Sequence, residues 1–468
     1  MYRIFAGFLT GMILFIFFSA CEPEKEPLLS ASLKFSADTV LFDTLFTQIG
    51  SPTYRLKVYN THNRPVHIES IGLARGSASP YRLNINGADT SQKESVIIRS
   101  KDSLFIFVEI TINKIADNDP KLEKDSIVFQ LKDKIQDVKL LSWGQDVYFH
   151  RKDTLSTSVW TNDKPHLVYD CVYVDSLQTL TLKQGTQIYF HNKASFKVKG
   201  SLVARGSFDE PVVFQSDRKD DLFPGFSYSK VPGQWKGVEL LPGSDDHDLN
   251  YVKIFNATSG LKYMNNPSTE PKRLNFNNSI IRHSSLDGLA LQNINFLGYN
   301  NEITSCGRYA INLSPKGNYE FYHCTIANFW NSFSSRITPT FFVNHSNHYE
   351  GKDIASLITA NSIVYGNHAG ELNFTDSAHT QFSYQFDHCF IKLVEDSPYL
   401  EDQYFTDILT EADSLFVNPE EDRYTLDSLS PAVDAGDRKY ANPYPFDMKG
   451  NSRIFDQNPD LGAYEKQD

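Results

Sequence analysis

Six short strings recur in the second half of the chain: YVKI, NSII, NEIT, HCTI, NSIV and HCFI, beginning at Tyr251, Asn278, Asn301, His323, Asn361 and His388. Each is a polar residue followed by a β-branched pair, with polar corner residues and often a glycine before the next run. The intervals are 27, 23, 22, 38 and 27 residues. All but one match a single coil of a stacked solenoid, and the interval of 38 contains an insertion. No such coil can bury its apolar face alone, so equivalent side chains must stack on one another about 4.8 Å apart. The stretch Leu180 to Ser216 repeats the logic. Leu180, Leu182, Ile188, Phe190, Phe196, Val198, Leu202, Val213 and Phe214 mark inward positions, and Gly185, Gly200 and Gly206 permit the bends between them.

Over about residues 172–393 this pattern resembles the right-handed parallel β-helix family. Cys324 and Cys389 take one slot, with Ser362 in the coil between them. Two coils are almost 10 Å, and a disulfide needs Cα atoms within about 7 Å, so these thiols are expected to stay reduced. Cys306 lies in another phase of its coil, and Cys171 has no evident partner.

Between Leu29 and His150 the runs LKVYN, VHIESIGL, SLFIFVEITI, DSIVFQL and DVKLLSW alternate apolar and polar residues between turns. They predict an immunoglobulin-like β-sandwich over 31–150, followed by the β-helix over 151–400 and a C-terminal cap over 401–468. The fold class is therefore all-β. The cap rests on SPAVDAGD from Ser430, DMKGNSR from Asp447 and DLGAYE from Asp460, which resemble the closing segment of β-helix proteins of the choice-of-anchor type. Such a cap would protect unpaired strand edges at the open end of the solenoid. Asp434, Asp437, Asp447 and Asp460 offer the hard oxygen ligands that calcium takes. Aspartates in Gly- and Pro-rich turns more often bond their own backbone, so that reading leads and no cofactor is assigned, with calcium the alternative.

The first 21 residues carry Arg3, an apolar stretch and then FSAC, which reads as a signal peptide. FSAC resembles a lipobox, with Phe18 where that motif has Leu. The resemblance implies acylation of Cys21, the protein's membrane partner, and anchorage in an outer membrane. EPEKEP follows, and residues 22–30 are expected to form a flexible tether similar to the acidic export signals of surface lipoproteins. The net charge of −12 and the lack of a basic run argue against nucleic acid. Asp-Ser/Thr-apolar triplets at Asp38, Asp43, Asp102, Asp125, Asp153, Asp175, Asp413 and Asp427 resemble O-glycosylation acceptors, and equally suit turns that hand over to strands.

The densest polar cluster is IIRHSSLDG, with Arg282, His283 and Asp287 near one corner and Lys253, Arg308 and His323 in neighbouring coils. Such a set could bind an acidic sugar and supply a lyase base. Exposed corners also collect polar residues by default. Trp330 and Tyr349, in or beside the insertion, are candidate sugar-stacking residues, as is Tyr263, whereas Trp235 in GQWKG reads as coil packing. No closely grouped Asp pair of hydrolase type recurs on adjacent coils. A non-catalytic surface lipoprotein that binds polysaccharide or another cell-surface component therefore leads. A polysaccharide lyase or hydrolase and a structural or adhesive rod are the alternatives.

Overall fold

The computed structural model describes residues 26–29, 31–115, 117–223, 225–266, 268–314, 316–330, 333, 335–344, 356–375, 383–455 and 458–467. The chain divides into two compact units, Met1–Asp146 and Val147–Asp468, both dominated by strands. Cys21 and Tyr349 lie outside the described residues.

In the first unit the strands are β1 (Lys34–Phe35), β2 (Thr39–Phe46), β3 (Tyr54–Tyr59), β4 (Val66–Leu73), β5 (Tyr81–Ile85), β6 (Ala88–Asp89), β7 (Gln92–Ile98), β8 (Ser103–Ile110), β9 (Lys121–Leu131) and β10 (Lys134–Gln145). They make two five-stranded sheets, ordered β1-β3-β8-β5-β6 and β2-β10-β9-β4-β7. Pairing is antiparallel except between β2 and β10. Successive strand side chains point to opposite faces, and β8 shows the consequence. Leu104, Ile106, Val108 and Ile110 enter the core, while Phe105 and Phe107 face outward. Leu56, Val58, Ile68, Ile71, Ile127, Phe129, Val138 and Leu140 complete that core, each contributing about 1.5–3 kcal/mol by burial.

The second unit is a large parallel sheet of 26 strands, consistent with a β-helix. Through its body each strand pairs in parallel with the equivalent strand one coil on. The result is three ladders. The first carries Leu274, Phe296, Tyr319 and Leu357 in register. The second stacks Ile188, Phe214, Ile254, Ile281, Ile303, Ile326, Val364 and Ile391. The third stacks Val172, Phe196, Val238, Leu261, Leu289, Ile311, Phe341 and Leu372. All three columns lie in one continuous core.

A left-handed backbone residue opens the second ladder in each of six coils: Tyr251, Asn278, Asn300, His323, Asn361 and His388, with φ between 46° and 52°. Asparagine tolerates this conformation better than most residues. Its amide also ladders, because Asn300 Nδ2 donates to Asn278 Oδ1 (2.9 Å) and Asn278 Nδ2 donates to Asn250 Oδ1 (2.8 Å). The expected column was off by one residue here. Asn301 lies one slot further on, in the column Ser279, Asn301, Cys324, Ser362 and Cys389, and accepts from the Ser279 backbone N–H (3.0 Å). Cys324, Ser362 and Cys389 thus share the expected slot, and Cys171, Cys306, Cys324 and Cys389 are all free thiols.

The C-terminal residues depart from the expected closing cap. From Leu415 to Tyr464 their apolar side chains pack on Ile280, Ala327, Ile363 and Phe390. These lie on the outer face of the second ladder, so the segment covers the flank of successive coils and not the last coil alone. Its attachment uses the corner column. Asn361 Nδ2 donates to the Asp437 carbonyl and its Oδ1 accepts from the Asp437 N–H, both at 2.9 Å. Arg453, fully buried, donates to Glu465 Oε1 (2.6 Å), Asn300 Oδ1 (2.9 Å) and the Gly462 carbonyl (2.9 Å). Burial pushes the Glu465 carboxyl up to about 8, against the pull of Arg453.

Candidate functional site

Three excursions from the coils meet around His283. The first follows Ser216 and contains Phe226 and Lys230. Asn256 Nδ2 donates to the carbonyls of Ser229 (2.7 Å) and Val231 (3.0 Å), and Gln234 Nε2 donates to those of Tyr228 (2.7 Å) and Val231 (2.8 Å). Two coil amides therefore fix this loop. The second begins at Phe329 and Trp330, and the third is the turn Pro419–Glu421 of the C-terminal segment, ending at Asp422 in the left-handed region (φ 59°). Together they enclose a pocket of about 250 Å³ lined by Phe226, Lys230, His283, Trp330, Phe333 and Asp422, among others. Its aromatic wall is continuous: Phe226 meets Phe333 edge-on at 5.9 Å and Trp330 lies 5.8 Å from Phe333.

His283 is held from two sides. Its Nδ1 lies 3.2 Å from the Ser229 carbonyl and its Nε2 3.2 Å from Asp422 Oδ1. A general base needs a nitrogen directed at substrate, and here both face protein acceptors. Burial alone would raise the Asp422 carboxyl, but the His283 hydrogen bond and the charges of His283, Arg282 and Lys230 hold it below the usual aspartate range. Asp422 is thus a stable anion.

The predicted trio does not assemble. Arg282 turns beneath the C-terminal segment, where Nε donates to Glu302 Oε1 (3.1 Å), Nη2 joins the same oxygen, and Nη1 lies 3.8 Å from Asp422. The Tyr464 hydroxyl donates to the other Glu302 oxygen (2.6 Å), so this buried carboxylate is satisfied. Lys253 sits near this pair, and burial followed by the Arg282 charge lowers its pKa. Asp287 belongs to another corner, in a bidentate pair with Arg308 (2.6 Å to each oxygen) and a bond from Asn312 (3.0 Å). His323 is fully buried. Of the residues singled out in the sequence, the pocket takes His283 and Trp330, and Arg282 meets His283 at their shared partner Asp422. Phe226, Lys230, Phe333 and Asp422 were missed.

Two further expectations are settled by burial. Trp235 stacks on Phe190 at 3.8 Å and donates to the Phe255 carbonyl (2.8 Å), so it packs a coil as expected. Tyr263 is also fully buried and is not an exposed platform.

Three of the four aspartates considered for calcium direct oxygens at backbone N–H groups, whereas Asp434 enters through its own N–H, which it gives to Asp460. Asp460 accepts from Asp434 (2.8 Å) and Lys466 (2.6 Å), Asp447 from Lys449 (2.8 Å), Asn451 (2.7 Å) and Glu465 (2.8 Å), and Asp437 from Lys439 (2.8 Å). The bonds of Asp437 and Asp447 to N–H groups two and four residues on are of the turn type. Among the described residues, the group of His and carboxylate atoms that lie within 4.8 Å of one another is Asp387, His388 and Asp407. Asp387 there already accepts from Lys439 (2.8 Å) and Tyr440 (2.7 Å).

No protein-family model matches the chain, and no curated protein matches it. Solved structures similar to part of it include the E. coli chaperone DraB, at 14% identity over 24% of this chain and 55% of that one, TM-score 0.18. A PapD-like domain of human CEP192 is 13% identical over 27% of this chain and 92% of that one, TM-score 0.17. A family 123 glycoside hydrolase from Clostridium perfringens is 9% identical over 26% of this chain and 30% of that one, TM-score 0.18. The chain thus spans about half of DraB and under a third of the hydrolase. Likeness at this level carries no argument about function.

Proposed function

We propose that this protein is a lipid-anchored glycan-binding protein of the outer membrane, displayed at the cell surface, whose solenoid binds without catalysis. The observation that carries the reading is the pocket at His283. Phe226 and Phe333 give it ring faces for sugar stacking, Trp330, 7% exposed, backs Phe333, and Lys230, Glu420 and Asp422 give donors and acceptors for hydroxyls. The engagement of both His283 nitrogens and the separation of Arg282 from Asp287 weigh against a lyase. On this reading the solenoid is right-handed, as parallel crossovers almost always are. The first unit is an immunoglobulin-like spacer, and Cys21 carries the acyl chains.

A glycan array probed with the full chain tests the pocket. Trp330→Ala and Phe333→Ala should each weaken capture of the bound glycan at least tenfold, and no unsaturated or reducing product should accumulate from any polysaccharide bound. Turnover abolished by His283→Ala would replace this reading with the lyase. Cys21→Ser should release the protein from the membrane fraction, and retention there would remove the anchor.

A further inference from the structure

The outer face of the β1-β3-β8-β5-β6 sheet carries a charge pattern opposite to that of the chain. The whole protein has a net charge of −12, yet β3 directs Arg55 and Lys57 outward, and β1 places Lys34 in register with Tyr59. None of these cations has a carboxylate partner among the described residues. Beside them Phe105 is 38% exposed and Phe107 39% exposed, in register with Lys57 and Arg55 across the β3–β8 pairing. The Arg55 guanidinium lies 5.5 Å from the Phe105 centroid, and the Lys57 ammonium 5.2 Å from the same ring and 5.0 Å from that of Tyr59. Aromatic faces thus steady two cations whose charges stay solvated. Next to this strip a concavity of about 600 Å³ is lined by Arg82, Asn84, Asp89, Thr90, Phe107 and Glu109, among others.

We infer that this face is a second binding site, for an extended uronate-bearing polysaccharide. Carboxylates of the glycan meet Arg55 and Lys57, whose positions two apart on one strand set them about 7 Å from each other. Apolar ring faces lie on Phe105 and Phe107. Hydroxyls enter the concavity, where Asn84, Asp89, Thr90 and Glu109 accept and donate. Asp89 and Glu109 also discriminate among polyanions. They reward a polymer rich in hydroxyl donors and repel one with a phosphate at every residue.

The test uses the full chain and calorimetric titration with polygalacturonate, dextran and single-stranded DNA. Polygalacturonate should bind, with affinity that falls as salt rises. Dextran should not bind, and DNA should bind at least tenfold more weakly. The pair Arg55→Glu/Lys57→Glu should weaken polygalacturonate binding at least tenfold, and Phe105→Ser/Phe107→Ser at least fivefold. Circular dichroism checks folding, and Arg55→Gln/Lys57→Gln supplies the same contrast should charge reversal disturb the sheet. Absence of polygalacturonate binding, equal binding of DNA, or full affinity in a folded Arg55/Lys57 variant would overturn the inference. Loss on Trp330→Ala alone would move the acidic glycan to the solenoid and leave this face without a ligand.

Discussion

Strand β8 of the sandwich and the second ladder of the solenoid bury their side chains by different rules. In β8 alternate residues are buried and the intervening Phe105 and Phe107 meet solvent. In the ladder, Ile280–Ile281, Thr325–Ile326, Ile363–Val364 and Phe390–Ile391 are buried as consecutive pairs. Consecutive strand residues point to opposite faces, so the ladder needs cover on its outer side as well as a core within. The C-terminal segment is that cover, and by bringing Asp422 to His283 it also builds one wall of the pocket.

Four perturbations would break or sharpen this contrast. Arg453→Ala should cost about 3–5 kcal/mol in chemical denaturation, since it empties a fully buried site and leaves Glu465, Asn300 and the Gly462 carbonyl without their donor. Ile363→Ala follows, at about 2–5 kcal/mol. If water reached this face as it does the outer side of β8, the cost would be a few tenths. Acid comes third. Burial holds His247 at about 4 and His166 at about 3, below the 6.5 of an unfolded imidazole. The unfolded chain therefore takes these protons first, so stability is complete above about pH 6.5 and falls as pH drops toward about 4, by up to about 3 kcal/mol for His247. Among the described residues, the fully or nearly buried histidines, His166, His247 and His323, all lie in the solenoid. Calorimetry between pH 7 and pH 5 should lower its transition more than that of the sandwich. Phe105→Ser, on the solvated side of β8, should stay within about 0.5 kcal/mol of the parent.

Much of the solenoid was legible because stacking imposes its period on the sequence. The isoleucine column and the shared slot of Cys324, Ser362 and Cys389 follow from that period alone. The Asn300-Asn301 doublet misled by one residue, because either amide could form the ladder and the left-handed backbone at Asn300 decides between them. The strings NSII, NSIV and HCFI already held evidence for a covered flank, since one residue of each apolar pair must face outward. What covers it was not legible. Contacts such as Tyr464 with Glu302 span 162 residues and leave no local signature. The pocket was half-legible for the same reason. His283 and Trp330 come from the coils and the insertion beside them, whereas Asp422 arrives from a segment read as a terminal cap.

Cross-linking tests the cover most directly. The Ala463 N–H donates to Thr325 Oγ1 at 2.9 Å, so the double variant Thr325→Cys/Ala463→Cys should oxidise to a disulfide that joins the two peptides in a non-reducing digest. Two free thiols at these positions after oxidation of the folded protein would contradict the account, because the segment would then not lie on the flank of the coils.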